Sequence, residues 1–517
     1  MGKGLLYFYN NKVKKEWKIS WISAFIIGLI IHLFKFSNTI LHHDSVYNYY
    51  SNQDMTSSGR WFLSIACSLS SYFDLPWVIG IFSLSILGVV CVIMVEMFEV
   101  KNPVVIVLIS GLITAFPGVS ETFIFSYTAD GYFIAMLLSS LAVYVSRIDK
   151  CKFVRCIISL ILICFSCAIY QAYVSFGMLL AIFHFIDNIL KKRVSDKQCI
   201  KYIGMQTIVY IGGIASYYIV WRIILAVTGT TVGSYLGISS TINPIENGFT
   251  VSTIAKGFEN GIRAVSLFFC NGYVFVNGVT PYYILNAIIV ILGIIGFVSA
   301  AKKADLFKRK KQCILTVLAI LLILPCSFIW SFVSLSVFYE PRMFLSLCIC
   351  YIYCAILFDR FLGAIESNIV GIMLGLIVVN NAIMANILYF ALDRNNTETL
   401  AVATEMIIRI HEIEDETPFD KIAIVNDEQK LNYNDAKLSD ITKDYYLLLR
   451  AVDKNLLLDQ KHISLYLSHT FNFDIPFVSN DEHDIIEQNP EIDEMAAWPS
   501  KDSMRVIDDV LVIKLYS

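Results

Sequence analysis

The chain has 517 residues, 56% of them apolar and only 16% charged, with a mean hydropathy of +0.64. A soluble domain has no use for so much uncovered apolar surface, whereas a bundle of membrane helices needs it. The formal net charge of −3 hides an asymmetry: from Asp393 onward 26 acidic residues stand against 12 basic ones, so the tail is acidic and the remainder basic.

A spanning helix requires about 20 mostly apolar residues. The first such segment, Ile19 to Phe36, has no small-residue cleavage site and reads as a retained span rather than a signal peptide. Taken in order, apolar windows predict spans at 19–36, 77–97, 103–117, 128–146, 156–170, 172–190, 203–227, 282–300, 313–337, 343–361 and 369–390, eleven in all. The 156–190 block is either a hairpin or one bent helix. Lys and Arg cluster at Lys3 to Lys18, Lys101, Arg147 to Arg155, Lys191 to Lys201, Lys302 to Lys311 and Arg360. These 22 bases alternate with loops that carry only Arg60, Lys256, Arg263 and Arg342. The positive-inside rule therefore predicts a cytoplasmic N-terminus, and an odd helix count places the tail outside.

The outward loops carry the polar chemistry, and the inward ones are short and basic. The first outward loop, Leu41-His-His-Asp-Ser-Val-Tyr-Asn-Tyr-Tyr-Ser-Asn-Gln-Asp-Met-Thr-Ser-Ser-Gly-Arg-Trp61, has no reason in lipid to exist, which points to function. Trp61 to Phe73 after it reads as a helix lying in the interface. The second, Phe116 to Asp130, places Glu121 and Asp130 at the membrane edge. The fourth, 228–281, is long and rich in Gly, Thr, Ser, Asn and Tyr; the fifth is the tight Phe338-Tyr-Glu-Pro-Arg342.

All 13 cysteines lie at or before Cys354, mostly within apolar segments, and the Cys164-Phe-Ser-Cys167 pair reads as packing. The tail reads as a small α/β domain. Thr397 to Glu414 has a helical apolar period, and Lys421-Ile-Ala-Ile-Val425 and Val510-Leu-Val-Ile-Lys-Leu515 read as short buried strands.

No phosphate-cradling GxxxxGK[ST] or strand-GxGxxG-helix unit is present. A lipid-linked donor suits an outer-face site, because its tail lies in the bilayer and its headgroup reaches the outward loops. For a lipid-phosphate sugar the leaving phosphate departs without a general acid if cations offset its charge. The acceptor hydroxyl then needs one carboxylate as base. Asp44 fits that base, against the plainer reading of a capping or loop-solvating residue. Asp54, Glu121 and Asp130 are further carboxylates that could add charge or orient the acceptor. Among the scarce outer cations, Arg342 and Arg60 are candidates for the phosphate, and Arg222 either joins them or snorkels to the headgroups. Tyr47, Asn48 and Tyr50 are possible sugar contacts. His42 and His43 flank Asp44, but adjacent side chains diverge and no third-ligand pattern accompanies them, so no metal is expected. His43 orienting Asp44 or bonding substrate is the better reading. No cofactor and no nucleic-acid partner are expected.

Asp44 after helix one, Ser58-Gly-Arg-Trp61, Phe116-Pro117 with Glu121-Thr-Phe, Glu340-Pro-Arg342 and the ending Trp498-Pro-Ser-Lys-Asp-Ser-Met-Arg-Val-Ile-Asp-Asp-Val-Leu-Val-Ile-Lys-Leu515 together resemble the bacterial O-antigen glucosyltransferase II type family. The resemblance implies an α-helical polytopic, GT-C-like membrane glycosyltransferase of about eleven helices in the bacterial inner membrane. It implies polyprenyl-phosphate-glucose as donor, a surface polysaccharide as acceptor, and the base on an acid of the first outward loop, here Asp44. One departure is that His43 stands where a paired acid is expected, so Asp54 or Glu121 must supply any second acid. The organisation expected is a transmembrane transferase domain over 1–392 and an acidic extracytoplasmic α/β domain over 393–517. A transporter or a polymerase of lipid-linked glycans is the alternative. Against transport, ionisable residues gather at the outer edge and no internal repeat is visible.

Overall fold

The computed structural model describes residues 12–148, 151–233, 251–270, 280–332, 340–425, 456–457 and 459–515. Its contacts divide the chain into two compact units. Unit 1 comprises Met1–Ser37 and Asn52–Asn386; unit 2 comprises Asn38–Ser51 and Ile387–Ser517.

Unit 1 is built from α1 (Lys15–Ser37), α2 (Pro76–Phe98), α3 (Pro103–Thr114), α4 (Pro117–Ile124), α5 (Ser126–Ser146), α6 (Lys152–Ile169), α7 (Val174–Leu190), α8 (Asp196–Thr228), α9 (Val251–Cys270), α10 (Thr280–Lys303), α11 (Lys310–Leu321) and α12 (Cys348–Phe361). A thirteenth helix, α13 (Ala364–Glu416), carries the chain from unit 1 into unit 2. Among the described residues ten helices are long and apolar enough to cross a membrane, or eleven if the bent pair α3–α4 is one span. The chain is thus a polytopic membrane protein, as its hydropathy predicts.

Helix starts follow local chemistry. Proline opens α2, α3 and α4, where its missing N–H costs nothing. Ser195 and Gln198 form a reciprocal capping box at the start of α8. Between helices, buried serines supply hydrogen bonds that lipid cannot. Ser110 donates to the Ser20 carbonyl at 3.0 Å, Ser159 to Ala142 at 2.9 Å and Ser166 to Ala135 at 2.7 Å.

The loops that are basic in sequence meet across one end of unit 1. Lys14 pairs with Glu96 at 2.7 Å, Lys101 with Glu16 at 2.9 Å, Arg193 with Glu99 at 2.6 Å and Lys192 with Asp305 at 2.8 Å, and Arg360 pairs with buried Asp187.

Two expectations change, and the alternative left open at 156–190 is resolved. Residues 116–130 are not an exposed loop: after a 42° bend the chain continues as α4 and runs on into α5, with Glu121 and Asp130 both fully buried. The stretch 228–281 is interrupted by the amphipathic α9, with Ile254 and Ile262 exposed and Ala264 buried; 234–250 and 271–279 lie outside the described residues. The 156–190 block is two helices, separated at Tyr170 and a 3₁₀ turn over Gln171–Tyr173. The window 313–337 continues past α11 through short turns to Phe332, and 333–337 fall outside the described residues. Trp61 to Phe73 contains the short helix Leu63–Cys67 and a 3₁₀ turn, with Ile65, Leu69 and Phe73 exposed.

Unit 2 holds a three-stranded sheet in the order β1-β3-β2: β1 (Lys421–Val425), β2 (Met504–Ile507) and β3 (Val510–Lys514). β1 and β3 run parallel with Ile422 opposite Leu511, and β2 and β3 run antiparallel with Met504 opposite Ile513. Both strands expected from sequence are present, and the expected 397–414 helix is the far part of α13. Strand alternation divides the side chains between two faces. Ile422, Ile424, Leu511 and Ile513 pack with Met406 and Ile410 of α13, with α14 (Gln460–Phe471), and with Leu41 and Val46. Ala423, Val425 and Val512 pack on the other side with Val478, Ile492 and Met495. Leu511→Ala should therefore destabilise unit 2 by about 2–5 kcal/mol, read as faster proteolysis of the tail in the full-length protein. Ile485→Ala, at a position 72% exposed, should change it by less than about 0.5 kcal/mol.

Candidate functional site

Each unit places some of the expected residues, and each is described by itself. In unit 1 the segment Met55-Thr-Ser-Ser-Gly-Arg60 makes a 3₁₀ turn at 56–58 and closes through a bridge between Met55 and Arg60. Gly59 ends the turn at φ +81°, and a Cβ there would sit 2.3 Å from the Tyr217 hydroxyl and 2.8 Å from Gln171 Nε2. Only glycine meets both conditions. Trp221 Nε1 donates to the Thr56 carbonyl at 2.7 Å, and Gln171 Nε2 donates to the Ser58 carbonyl at 3.0 Å. The turn is thereby fixed to α8 and to the break between α6 and α7.

That fixation aims Arg60. Its Nη1 donates to the Tyr132 hydroxyl at 3.0 Å, and its guanidinium carbon lies 5.1 Å from the Tyr170 ring centre. Tyr132 and Tyr170 stack, with centroids 4.2 Å apart and 12° between planes. Tyr173 stands edge-on to Tyr170 at 5.1 Å, and its hydroxyl is 3.0 Å from Thr122 Oγ1. Arg60 is half-buried, and no ion pair to a carboxylate is found for it among the described residues.

Arg342 reaches the same tyrosines from another element. It follows Pro341 at the start of a 3₁₀ turn (Pro341–Leu347) that leads into α12. Gly118 of α4 lies so close that a Cβ would be 2.7 Å from the Pro341 carbonyl oxygen. This closeness lets Glu121 accept twice from one residue. The Arg342 backbone N–H donates to Oε2, and Nη1 donates to Oε1 at 3.0 Å. Glu340 adds a second carboxylate beside Arg342. The guanidinium also lies over the Phe125 ring at 4.4 Å and meets the Tyr170 hydroxyl. Arg342 is thus counterbalanced within unit 1, and Arg60 is held by aromatic faces and a hydroxyl. Such a pair of guanidiniums around tyrosyl hydroxyls is suited to grip an anion with planar, directed hydrogen bonds.

The other expected residues of unit 1 take different places. Asp54 is exposed and accepts from Thr56 N at 3.1 Å and Thr56 Oγ1 at 2.7 Å, a local turn bond. Asp130 lies inside α5, accepting from Gly131 N at 2.8 Å, beside Cys67 and Ser70. Arg222 is exposed on α8, and no hydrogen bond or ion pair is found for it among the described residues.

In unit 2, Asp44 sits in a 3₁₀ turn over His43–Tyr47, its side chain 48% exposed. His42 caps the turn: its Nδ1 accepts from Asp44 N at 3.2 Å. The neighbouring imidazoles do not diverge as expected. The tight turn brings their centroids to 3.9 Å, with His43 Nε2 at 3.3 Å and His42 Nδ1 at 3.7 Å from the Asp44 oxygens. One ligand atom from each of the three lies within 4.8 Å of the others, which is close enough for a single cation. The polar ends of two expected sugar contacts are engaged locally. Asn48 Nδ2 donates to the Asp44 carbonyl at 2.7 Å, and the Tyr47 hydroxyl is 3.1 Å from His462 Nδ1. Tyr50 is 62% exposed. Burial, then the carboxylates of Asp459 and Asp44, push the Tyr47 hydroxyl up to about 12. Although burial acts to raise it, hydrogen bonds from His462 hold the Asp459 carboxyl below its ordinary value.

Sequence reasoning missed Tyr132, Tyr170, Gln171 and His462. The signal for Tyr170-Gln-Ala-Tyr173 was a polar break inside the 156–190 block. His462 gave none, since its partner Tyr47 is 415 residues away.

The profile of the family described as glucosyl transferase GtrII matches residues 33–358, well over half of the chain. No curated protein and no solved structure matches it.

Removing one partner of a buried ion pair leaves a charge uncompensated, at about 3–5 kcal/mol. Glu121→Gln should therefore lower the stability of the detergent-solubilised protein by roughly that amount, and Glu121→Gln with Arg342→Gln should recover part of it, measured by thermal unfolding in a double-mutant cycle.

Proposed function

The chain belongs to that glucosyl transferase family, and on this premise we propose that it moves glucose from a polyprenyl-phosphate carrier to a cell-surface polysaccharide at the outer face of the bacterial inner membrane, with inversion at the anomeric carbon. Membership of a transferase family favours glycosyl transfer over transport. The observation that carries the donor class is Arg60, half-buried against two tyrosines with no carboxylate pair among the described residues. A desolvated guanidinium without a counter-ion favours an arriving anion. A lipid phosphate meets that need, and its tail stays in the bilayer.

In this reading Asp44 takes the proton of the acceptor hydroxyl, whose oxygen attacks the anomeric carbon. The bond from that carbon to the phosphate oxygen breaks, and the electron pair leaves with the polyprenyl phosphate. Arg60 and Arg342 offset the charge that develops there. Glu121 keeps Arg342 in place, and His42 and His43 keep Asp44 in place. Tyr50, exposed, offers a ring face to an acceptor sugar. The acidic tail, residues 393–517, is the extracytoplasmic domain of this reading and helps to present the acceptor.

Three measurements test the reading. Asp44→Asn should lower label transfer from polyprenyl-phosphate-[14C]glucose to extracted surface glycan by about 10²–10⁴-fold with normal membrane accumulation; wild-type transfer would remove Asp44 from the chemistry. Arg60→Gln should raise the KM for the lipid donor more than it lowers kcat, and an unchanged KM would detach Arg60 from the phosphate. A chelator should leave transfer intact. Loss of transfer that zinc or manganese restores would instead make Asp44, with His42 and His43, a metal ligand set.

A further inference from the structure

The turn that carries Asp44 has little rigidity of its own. It is a single 3₁₀ turn of five residues, and the Asp44 side chain on it is 48% exposed. One such turn makes too few backbone bonds to hold a geometry unaided. Within unit 2, two helices from much later in the chain grip it, one at each end. Three residues before Asp44, Leu41 is held by α13. Its N–H donates to Asn396 Oδ1 at 2.9 Å, and Asn396 Nδ2 donates back to the Leu41 carbonyl at 2.8 Å. The same Nδ2 donates to the Leu392 carbonyl, one turn earlier in α13, at 2.8 Å, which fixes the amide. This two-way bond needs a donor and an acceptor on one short side chain, which asparagine has and aspartate lacks.

Three residues after Asp44, Tyr47 is held by α14. Its hydroxyl lies 3.1 Å from His462 Nδ1, and the two rings meet edge-on at 4.5 Å. His462 is itself fixed: Asp459, the N-cap of α14, accepts from the His462 backbone N–H at 2.8 Å, and the same oxygen is 2.8 Å from Nδ1. The imidazole is buried. Leu41 and Val46 also pack in the core of unit 2, but apolar contacts set no direction, and hydrogen bonds do. A general base must stay within hydrogen-bond reach of the proton it takes, and a shift of about 1 Å costs about 10²-fold in rate. We propose that Asn396 and His462 are positioning residues for Asp44, clamping the two ends of its turn so that the carboxylate meets the acceptor hydroxyl in one geometry. This rests on Asp44 as the base. Asp44 lies within the span 33–358 that the family profile matches, and both residues of the clamp lie beyond it.

The test is label transfer from polyprenyl-phosphate-[14C]glucose by the full-length protein in proteoliposomes. Asn396→Ala and His462→Leu should each lower kcat by about 10- to 100-fold and leave the KM for the lipid donor unchanged, because Arg60 and Arg342 are untouched. His462→Asn, whose amide stands near the place of Nδ1, should recover most of the loss. Tyr47→Phe, which removes one oxygen and keeps the ring, should match His462→Leu. Placed on Asp44→Asn, none of these changes should lower the residual transfer further, since each acts through that carboxylate. A further drop would mean that they only unfold unit 2, and would overturn the proposal. So would wild-type kcat in Asn396→Ala, or in His462→Leu and Tyr47→Phe together. If Asn396→Ala does not accumulate, Asn396→Asp decides that end of the clamp, and Tyr47→Phe decides the other; wild-type kcat in either overturns it. Loss of transfer in Asp44→Asn with full transfer in the clamp variants removes the clamp alone. Full transfer in Asp44→Asn removes the base, and the clamp with it.

Discussion

Unit 1 depends on the buried pair between Glu121 and Arg342. A carboxylate with no solvent exposure is tolerable only with dedicated donors, and Arg342 provides two, from its backbone and its guanidinium. The pair ties the broken helix α4 to the turn at Pro341, so two elements 221 residues apart share one geometry. From that joint Arg342 reaches Phe125 and Tyr170. The Tyr132–Tyr170 stack, edged by Tyr173, then meets Arg60 on its own rigid turn. Glu121, Arg342 and Tyr173 each find hydrogen-bond partners within unit 1, which keeps this polar cluster stable among apolar helices, and Arg60 Nε is left buried without one.

The two ends of unit 1 treat positive charge differently. At the basic end, loops bridge to one another through Glu16, Glu96, Glu99, Asp187 and Asp305, so most charge there is used in stitching helices together. At the other end cations are fewer, and two of them, Arg60 and Arg342, lie against aromatic rings. In the proposed orientation bases are selected against on that side, which is why their rarity there matters to the reading proposed above.

The sequence made the membrane class, the helix windows and the tail strands legible, because each rests on a local property: hydropathy over about 20 residues or a short alternating run. Residues 117–130 misled because Ser120, Glu121, Thr122, Ser126 and Asp130 have the composition of a loop. In the fold these polar groups are buried, with Thr122 back-bonding within α4 and Glu121 facing Arg342. Arg60, Arg342 and Asp44 could be picked from rarity and position alone. Their surroundings could not, since Tyr132, Tyr170 and His462 are unremarkable residues until the chain brings them back. The convergence of His42 and His43 was hidden for a different reason: His42 stands in extended backbone as the cap of the 3₁₀ turn that His43 begins, and that junction brings the two rings together.

Segment 38–51 lies between two early membrane helices but contributes Leu41 and Val46 to the core of unit 2. The ribosome releases these residues long before β3, the strand that completes that core, exists. Until β3 emerges, Leu41 and Val46 wait without Leu511 and Ile513, and Tyr47 waits for His462 across 415 residues. Unit 2 is therefore completed late in biogenesis. A chain cut short even at Asp509, lacking only β3, would insert its helices and still leave Asp44 on an unsupported turn. The earliest and the latest pieces of unit 2 are thus made about 460 residues apart, and its fold waits on the later one.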